Sequence, residues 1–99
     1  MPTTARLHVQ DVLVDEDVLI LVTPFTIGRR ESNTLRLGAA EVSREHAEIV
    51  RVDDQFVLRD KQSRYGTFVN GVKIVEHLLV SGDRIRMGRG GGAELRFSL

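Results

Sequence analysis

Thr67-Phe68-Val69-Asn70-Gly71-Val72-Lys73-Ile74-Val75 is two runs of β-branched and aromatic residues joined by Asn-Gly. That dipeptide suits a two-residue hairpin turn with positive φ at both central positions, so the stretch predicts antiparallel strands over Thr67 to Val69 and Val72 to Val75. The same texture continues outward in both directions. Apolar and polar residues alternate in Arg6 to Val9, Thr34 to Leu37, Gln55 to Arg59, Arg84 to Met87 and Glu94 to Ser98, as strands with one buried face require. Val18 to Val22, Phe25 to Ile27 and Ala47 to Val52 add strand-like runs. Turn residues punctuate them: Asp53-Asp54 and Ser81-Gly82-Asp83 can bond their own backbone. Ten or eleven short strands at this spacing read as a β-sandwich.

Two segments invite another reading. Ser43 is placed to cap a helix running through His46-Ala47, but a capping box wants Glu or Gln three residues after the cap, where this chain has His46. Asp11 to Asp17 carries four acids among valines and a leucine and reads as a hairpin loop with a solvated acidic tip.

Ninety-nine residues, 41% hydrophobic, suffice for one domain and are too few for two. Fourteen basic and fourteen acidic side chains cancel, which leaves no global attraction for nucleic acid or an anionic membrane. Any anion site must be local. The longest apolar run is the five residues Val18 to Val22, and Met1 to Gln10 lacks the apolar stretch of a secretory leader, so the expectation is a cytoplasmic protein. The absence of cysteine excludes disulfides, thiol nucleophiles and cysteine metal sites. His8, His46 and His77 show no paired ligand spacing, so no metal or other cofactor is implied.

Chemistry gathers in three clusters, each where a strand pattern gives way to a turn: Gly28-Arg29, Ser43-Arg44-Glu45-His46 and Ser63-Arg64-Tyr65-Gly66-Thr67. An arginine fork fits phosphate oxygens bidentately and keeps its charge. Ser43 adds a hydroxyl donor, and loop amides add others. His46 could serve Ser43 as a base, yet no third residue is placed to orient it, so binding is favoured over catalysis. His46 among Ala47 and Ile49 is more simply a buried brace for the loop of Ser43. Asn70 either fills its turn or bonds across to a neighbouring loop. Gly88-Arg89-Gly90-Gly91-Gly92 lies between two strand patterns and reads as a loop rather than a nucleic-acid segment.

Taken in order, Gly28-Arg29, Ser43-Arg44-Glu45-His46, Gly66-Thr67-Phe68-Val69-Asn70-Gly71 and Leu79 to Gly88 resemble the successive signatures of the forkhead-associated, or FHA, domain family. The resemblance covers about residues 5 to 98 and implies an all-β sandwich of eleven strands in two twisted sheets, with loops at one end that bind phosphothreonine peptides and catalyse nothing. It implies phosphopeptide contacts from Arg29, Ser43, Arg44, Arg64, Tyr65 and Thr67. Gly28, His46, Gly66 and Asn70 support the loops, with Thr67 sharing that task. The implied partner is a protein marked on threonine by a Ser/Thr kinase, read by a monomer with no nucleic acid or membrane involved. One departure stands out. Where the family usually has Ser-x-Asn-Gly-Thr this chain has Ser63-Arg64-Tyr65-Gly66-Thr67, so Tyr65 replaces an asparagine that commonly bonds the peptide backbone. Arg64 is either a further cation of the site or a solvated loop residue. The alternative reading, supported by Tyr65, is a phosphate-independent interaction or assembly domain that uses a sheet face or edge. Thr3 and Thr4 lie in a short tail that a kinase could modify to give a self-ligand.

Overall fold

The computed structural model describes residues 4–99 and contains eleven strands and no helix among them. The strands are β1 (Ala5–Gln10), β2 (Asp15–Ile20), β3 (Phe25–Gly28), β4 (Leu35–Arg36), β5 (Ala47–Val52), β6 (Gln55–Asp60), β7 (Thr67–Val69), β8 (Val72–Ile74), β9 (Glu76–Leu78), β10 (Arg84–Met87) and β11 (Ala93–Ser98). They form a six-stranded sheet in the order β2-β1-β11-β10-β7-β8 and a five-stranded sheet in the order β4-β3-β5-β6-β9. All neighbours with a recorded register are antiparallel except β3 and β4, which run parallel.

Alternation becomes burial as the sequence predicts. β1 alternates buried and exposed throughout, and β10 and β11 do the same. Leu7, Val9, Ile85, Met87 and Phe97 from one sheet meet Phe25, Ile27, Ile49 and Leu58 from the other in a single core. Phe56 and Phe97 cross it with ring centroids 5.7 Å apart. Each such side chain, fully buried, contributes about 1.5 to 3 kcal/mol. The core also reaches into a loop. Leu37, Ala39 and Val42, between β4 and β5, are buried, so the segment that carries Ser43 is anchored from below.

Residues 43–46 form no helix, in keeping with the missing capping box: the His46 amide donates to the Ile27 carbonyl, and the Ser43 amide donates to His46 Nδ1. Two expectations need correction. The acidic segment is not all loop. Only residues 11–14 turn, closed by a bond from the Asp11 amide to the Val14 carbonyl, and Asp15, Glu16 and Asp17 belong to edge strand β2. Charges on an edge strand oppose pairing with another chain, a sufficient reason for acids in a strand. The second is β9, which the sequence pattern did not mark. After Ile74 the chain leaves the six-stranded sheet, passes through the exposed Val75 and pairs with β6 in the other sheet. Of the two tail threonines, Thr3 lies outside the described residues and Thr4 is exposed, in no strand.

Candidate functional site

Gly28 ends β3 under the loop that follows β4. A Cβ at Gly28 would sit 2.1 Å from the Arg44 carbonyl oxygen, so only glycine lets the two backbones approach this closely. The contact continues as a ladder. The Arg29 amide donates to the Ser43 carbonyl at 3.0 Å, the Arg30 amide to the Arg44 carbonyl at 3.2 Å, and the His46 amide to the Ile27 carbonyl at 2.9 Å. Asn33, which sequence reasoning missed, closes it by donating from Nδ2 to the carbonyls of Arg30 and Arg44 at 2.9 and 2.8 Å. Its partner Arg44 lies eleven residues away in the chain, so no local pattern announces the bond.

His46 is fully buried beneath this ladder. Nδ1 accepts from the Ser43 amide at 3.0 Å, which requires that nitrogen to be unprotonated, and Nε2 donates to the Gly66 carbonyl at 2.9 Å. The ring is therefore neutral with its proton on Nε2. Burial pushes its pKa below 6.5, while the bond to Gly66 and the negative Asp60 pull the other way. Both nitrogens are engaged with backbone, and neither meets the Ser43 hydroxyl, so His46 braces the loop and is not paired as a base to a serine nucleophile.

Gly66 is the junction of the third cluster. Its φ of 93° is a left-handed conformation that glycine adopts freely. Its carbonyl accepts from His46 and from the Gly88 amide at 2.9 Å, and its amide donates to Ser63 Oγ at 3.0 Å. Asp60 holds the cluster from below, a role the sequence analysis did not assign. Its carboxylate accepts from Ser63 Oγ at 2.5 Å, the Ser63 amide at 3.1 Å and Thr67 Oγ1 at 2.7 Å. Burial alone would raise the Asp60 pKa, but these donors and the nearby His46 outweigh it and hold the carboxyl below 3.8. The signal available was the spacing of Asp60 and Ser63, an acid followed three residues later by a hydroxyl at a strand end.

Two roles change with these placements. Thr67, expected among the peptide contacts, is fully buried and donates its hydroxyl to Asp60, so its side chain supports the loop and presents nothing outward. Asn70 sits at the other end of β7 from Gly66. It donates from Nδ2 to Asp83 Oδ1 and accepts from the Arg84 amide, both at 3.0 Å, bracing the loop before β10 rather than the loops of Arg29, Ser43 and Arg64. Asp83 also accepts from the Val80 amide at 2.9 Å and pairs with His77 at 3.0 Å. Burial would raise its pKa, and these partners hold it below 3.8.

What remains outward is cationic. Arg29, Arg44 and Arg64 are exposed, and none forms an ion pair among the described residues. Ser43 Oγ accepts from the Arg64 amide at 3.0 Å, which fixes the hydroxyl and leaves its proton free for an outside acceptor. Arg29 and Arg44 line a cleft of about 540 Å³ that also takes in Arg30 and Arg36, two cations not singled out from sequence. Arg36 is partly engaged, donating from Nε to the Arg29 carbonyl at 3.0 Å and lying 3.7 Å from Glu31. The Arg64 guanidinium lies 5.4 Å from the centroid of the half-buried Tyr65 ring, held beside Ser43 by its own amide.

Eleven strands in two sheets, with loops at one end that gather guanidinium groups, a hydroxyl and close-packed backbone, define a β-sandwich recognition module. The family model of the FHA domain matches residues 25–88, and the chain belongs to that family. Over 82 residues it is 37% identical to the human "Angiogenic factor with G patch and FHA domains 1", covering 72% of this chain and 12% of that protein. Over 64 residues it is 38% identical to the oxoglutarate dehydrogenase inhibitor of Corynebacterium diphtheriae, covering 65% of this chain and 45% of that one. The chain thus spans less than half the length of these relatives. A structure from a study of phosphothreonine-dependent FHA domain interactions superposes with a TM-score of 0.87 at 30% identity, covering 98% of this chain and 97% of that one. Mycobacterium tuberculosis EmbR in complex with a low-affinity phosphopeptide gives 0.82 at 31% identity, over 96% of this chain and 24% of that one.

Proposed function

We propose that this domain binds phosphothreonine peptides by charge-assisted hydrogen bonds and catalyses no reaction on them. The observation that carries the reading is the Ser43 hydroxyl, pinned by the Arg64 amide with its proton free, beside Arg29 and Arg44, which form no ion pair among the described residues. Arg29 and Ser43 take the phosphate, Arg44 takes the phosphate or the adjoining peptide, and Arg64 stacked on Tyr65 forms the neighbouring wall. The solved relatives described through phosphothreonine-dependent and phosphopeptide interactions support the same ligand.

On this reading residues 5 to 98 work as one monomeric domain in the cytoplasm, where a Ser/Thr kinase writes the mark, without nucleic acid or membrane. Among the described residues no helix is long and apolar enough to cross a membrane. The phosphate carries about −1.5 to −2 charges with a second pKa near 6, so affinity falls as pH drops below that value. Calorimetric titration with matched phosphorylated and unphosphorylated threonine peptides tests the reading. Binding should require the phosphate, and Arg29→Ala should cost roughly 2 to 5 kcal/mol. Equal binding of the two peptides, or an indifferent Arg29→Ala, overturns it.

The second reading, a phosphate-independent assembly domain, draws on Tyr65 at the position of the usual asparagine. Solution mass measured with and without substitutions at Arg29 and Ser43 separates the two, because only assembly through a sheet gives dimers insensitive to those loops.

A further inference from the structure

The outer face of the six-stranded sheet holds a set of arginines that the fold does not use. Register places Arg84 directly opposite Arg96 across β10 and β11, and like charges opposed in this way destabilise a ladder. Arg86 stands between Glu94 on one side and Phe68 on the other. All three arginines are exposed, and none forms an ion pair among the described residues, Arg86 with Glu94 included. They line an open cleft of about 1050 Å³ with the half-buried Phe68 ring in its wall, and Arg89 adds a further cation at its rim. Lys73, paired with Phe68 across β7 and β8, extends the positive face toward the sheet edge. At the opposite edge Asp17 is engaged by His8 at 2.7 Å and does not neutralise the arginines.

We propose that this face is a second docking surface, in which Arg84, Arg86 and Arg96 grip the carboxylates of an acidic segment of a partner protein laid over Phe68. The charges select the occupant. Guanidinium groups pair bidentately with discrete carboxylates, and a peptide can register its acids on the three arginines while keeping clear of Glu94. A nucleic-acid backbone, with continuous charge, would meet Glu94 and Asp17 as well, and one aromatic ring gives a single stacking platform. The surface shares no residue with the loops of Arg29, Ser43, Arg44 and Arg64, so the two sites can be filled together and the inference stands without the phosphothreonine reading.

The test is fluorescence anisotropy with the 99-residue chain and a labelled oligoglutamate peptide. Binding should saturate, weaken as salt rises from ~0.05 to ~0.3 M, and fall at least about tenfold in the double variant Arg84→Glu, Arg86→Glu. Arg29→Ala should leave it unchanged. If charge reversal unfolds the protein, the neutral pair Arg84→Gln, Arg86→Gln decides, with a smaller loss of the same sign. Arg84→Gln should also leave the melting temperature unchanged or raised, since it removes the opposition to Arg96. Absence of saturable binding, equal binding by the variants, or a lowered melting temperature for Arg84→Gln overturns the proposal. Tighter binding of a single-stranded oligonucleotide through the same arginines overturns it too, in favour of nucleic acid.

Discussion

Replacing His46 with Phe keeps a ring in the core and removes both of its hydrogen bonds. The Gly66 carbonyl retains the Gly88 amide, so the loss there is one net bond, about 1 kcal/mol. The Ser43 amide loses its acceptor, and a partly buried unpaired donor costs about 1 to 3 kcal/mol. The expected destabilisation is about 2 to 4 kcal/mol, which lowers the melting temperature of a chain this size by roughly 10 to 25 °C. Urea unfolding followed by far-UV circular dichroism measures it, and a loss below about 0.5 kcal/mol would refute the bracing role. A pH series adds a second reading. Burial holds the folded pKa of His46 below 6.5, so under that pH the unfolded chain binds more protons than the native one. The stability His46 contributes is therefore complete above 6.5 and is lost as pH falls through the depressed folded value. The Phe variant lacks this titration, so its deficit relative to wild type should shrink between about pH 7.5 and about pH 5. A deficit that stays constant over this range would contradict the lowered pKa of the buried ring.

Gly28→Ala forces a methyl group to within 2.1 Å of the Arg44 carbonyl and 2.8 Å of Asn33 Nδ2, so it should cost about 2 to 4 kcal/mol in thermal unfolding and weaken phosphopeptide binding by displacing Arg44. Asn70→Ala removes the bonds to Asp83 and Arg84 and strains a residue at φ 51°, for about 1 to 3 kcal/mol of stability. Phosphopeptide affinity measured at a temperature where that variant is folded should be unchanged, because Asn70 sits at the far end of β7. Asp60 and Asp83 both titrate below 3.8, so their contribution is complete above that pH and is lost as pH falls through their lowered folded values. Urea midpoints for Asp60→Asn should accordingly show a shallower acid decline than those of wild type.

The strands with one wet face were legible because alternation is a local property: β1, β10 and β11 bury the residues their pattern nominates. The cationic loop residues were legible too, since arginine, serine and glycine at strand ends carry their chemistry in their types. Asn33 was not, because its bond to Arg44 joins segments that only folding brings together, and Asp60 offered only its three-residue spacing to Ser63, the turn that delivers the Thr67 hydroxyl to it being set by the fold. Thr67 and Asn70 show the same limit from the other side. Their types fit peptide contact or loop support equally well, and burial beside Asp60 and position beyond β7 settle what they touch.

By itself the sequence determined a β-sandwich and the loops that carry its cations. Hydrophobic period and turn chemistry act over a few residues, and a reader of the chain has access to both. Tertiary structure alone decided that residues 72 to 78 split between two sheets at Val75, and that residues 15 to 17 enter an edge strand. It also decided that Arg84 faces Arg96 across a ladder. Each of these depends on which strand lies alongside, and pairing between distant segments is set by how the whole core closes rather than by any local run.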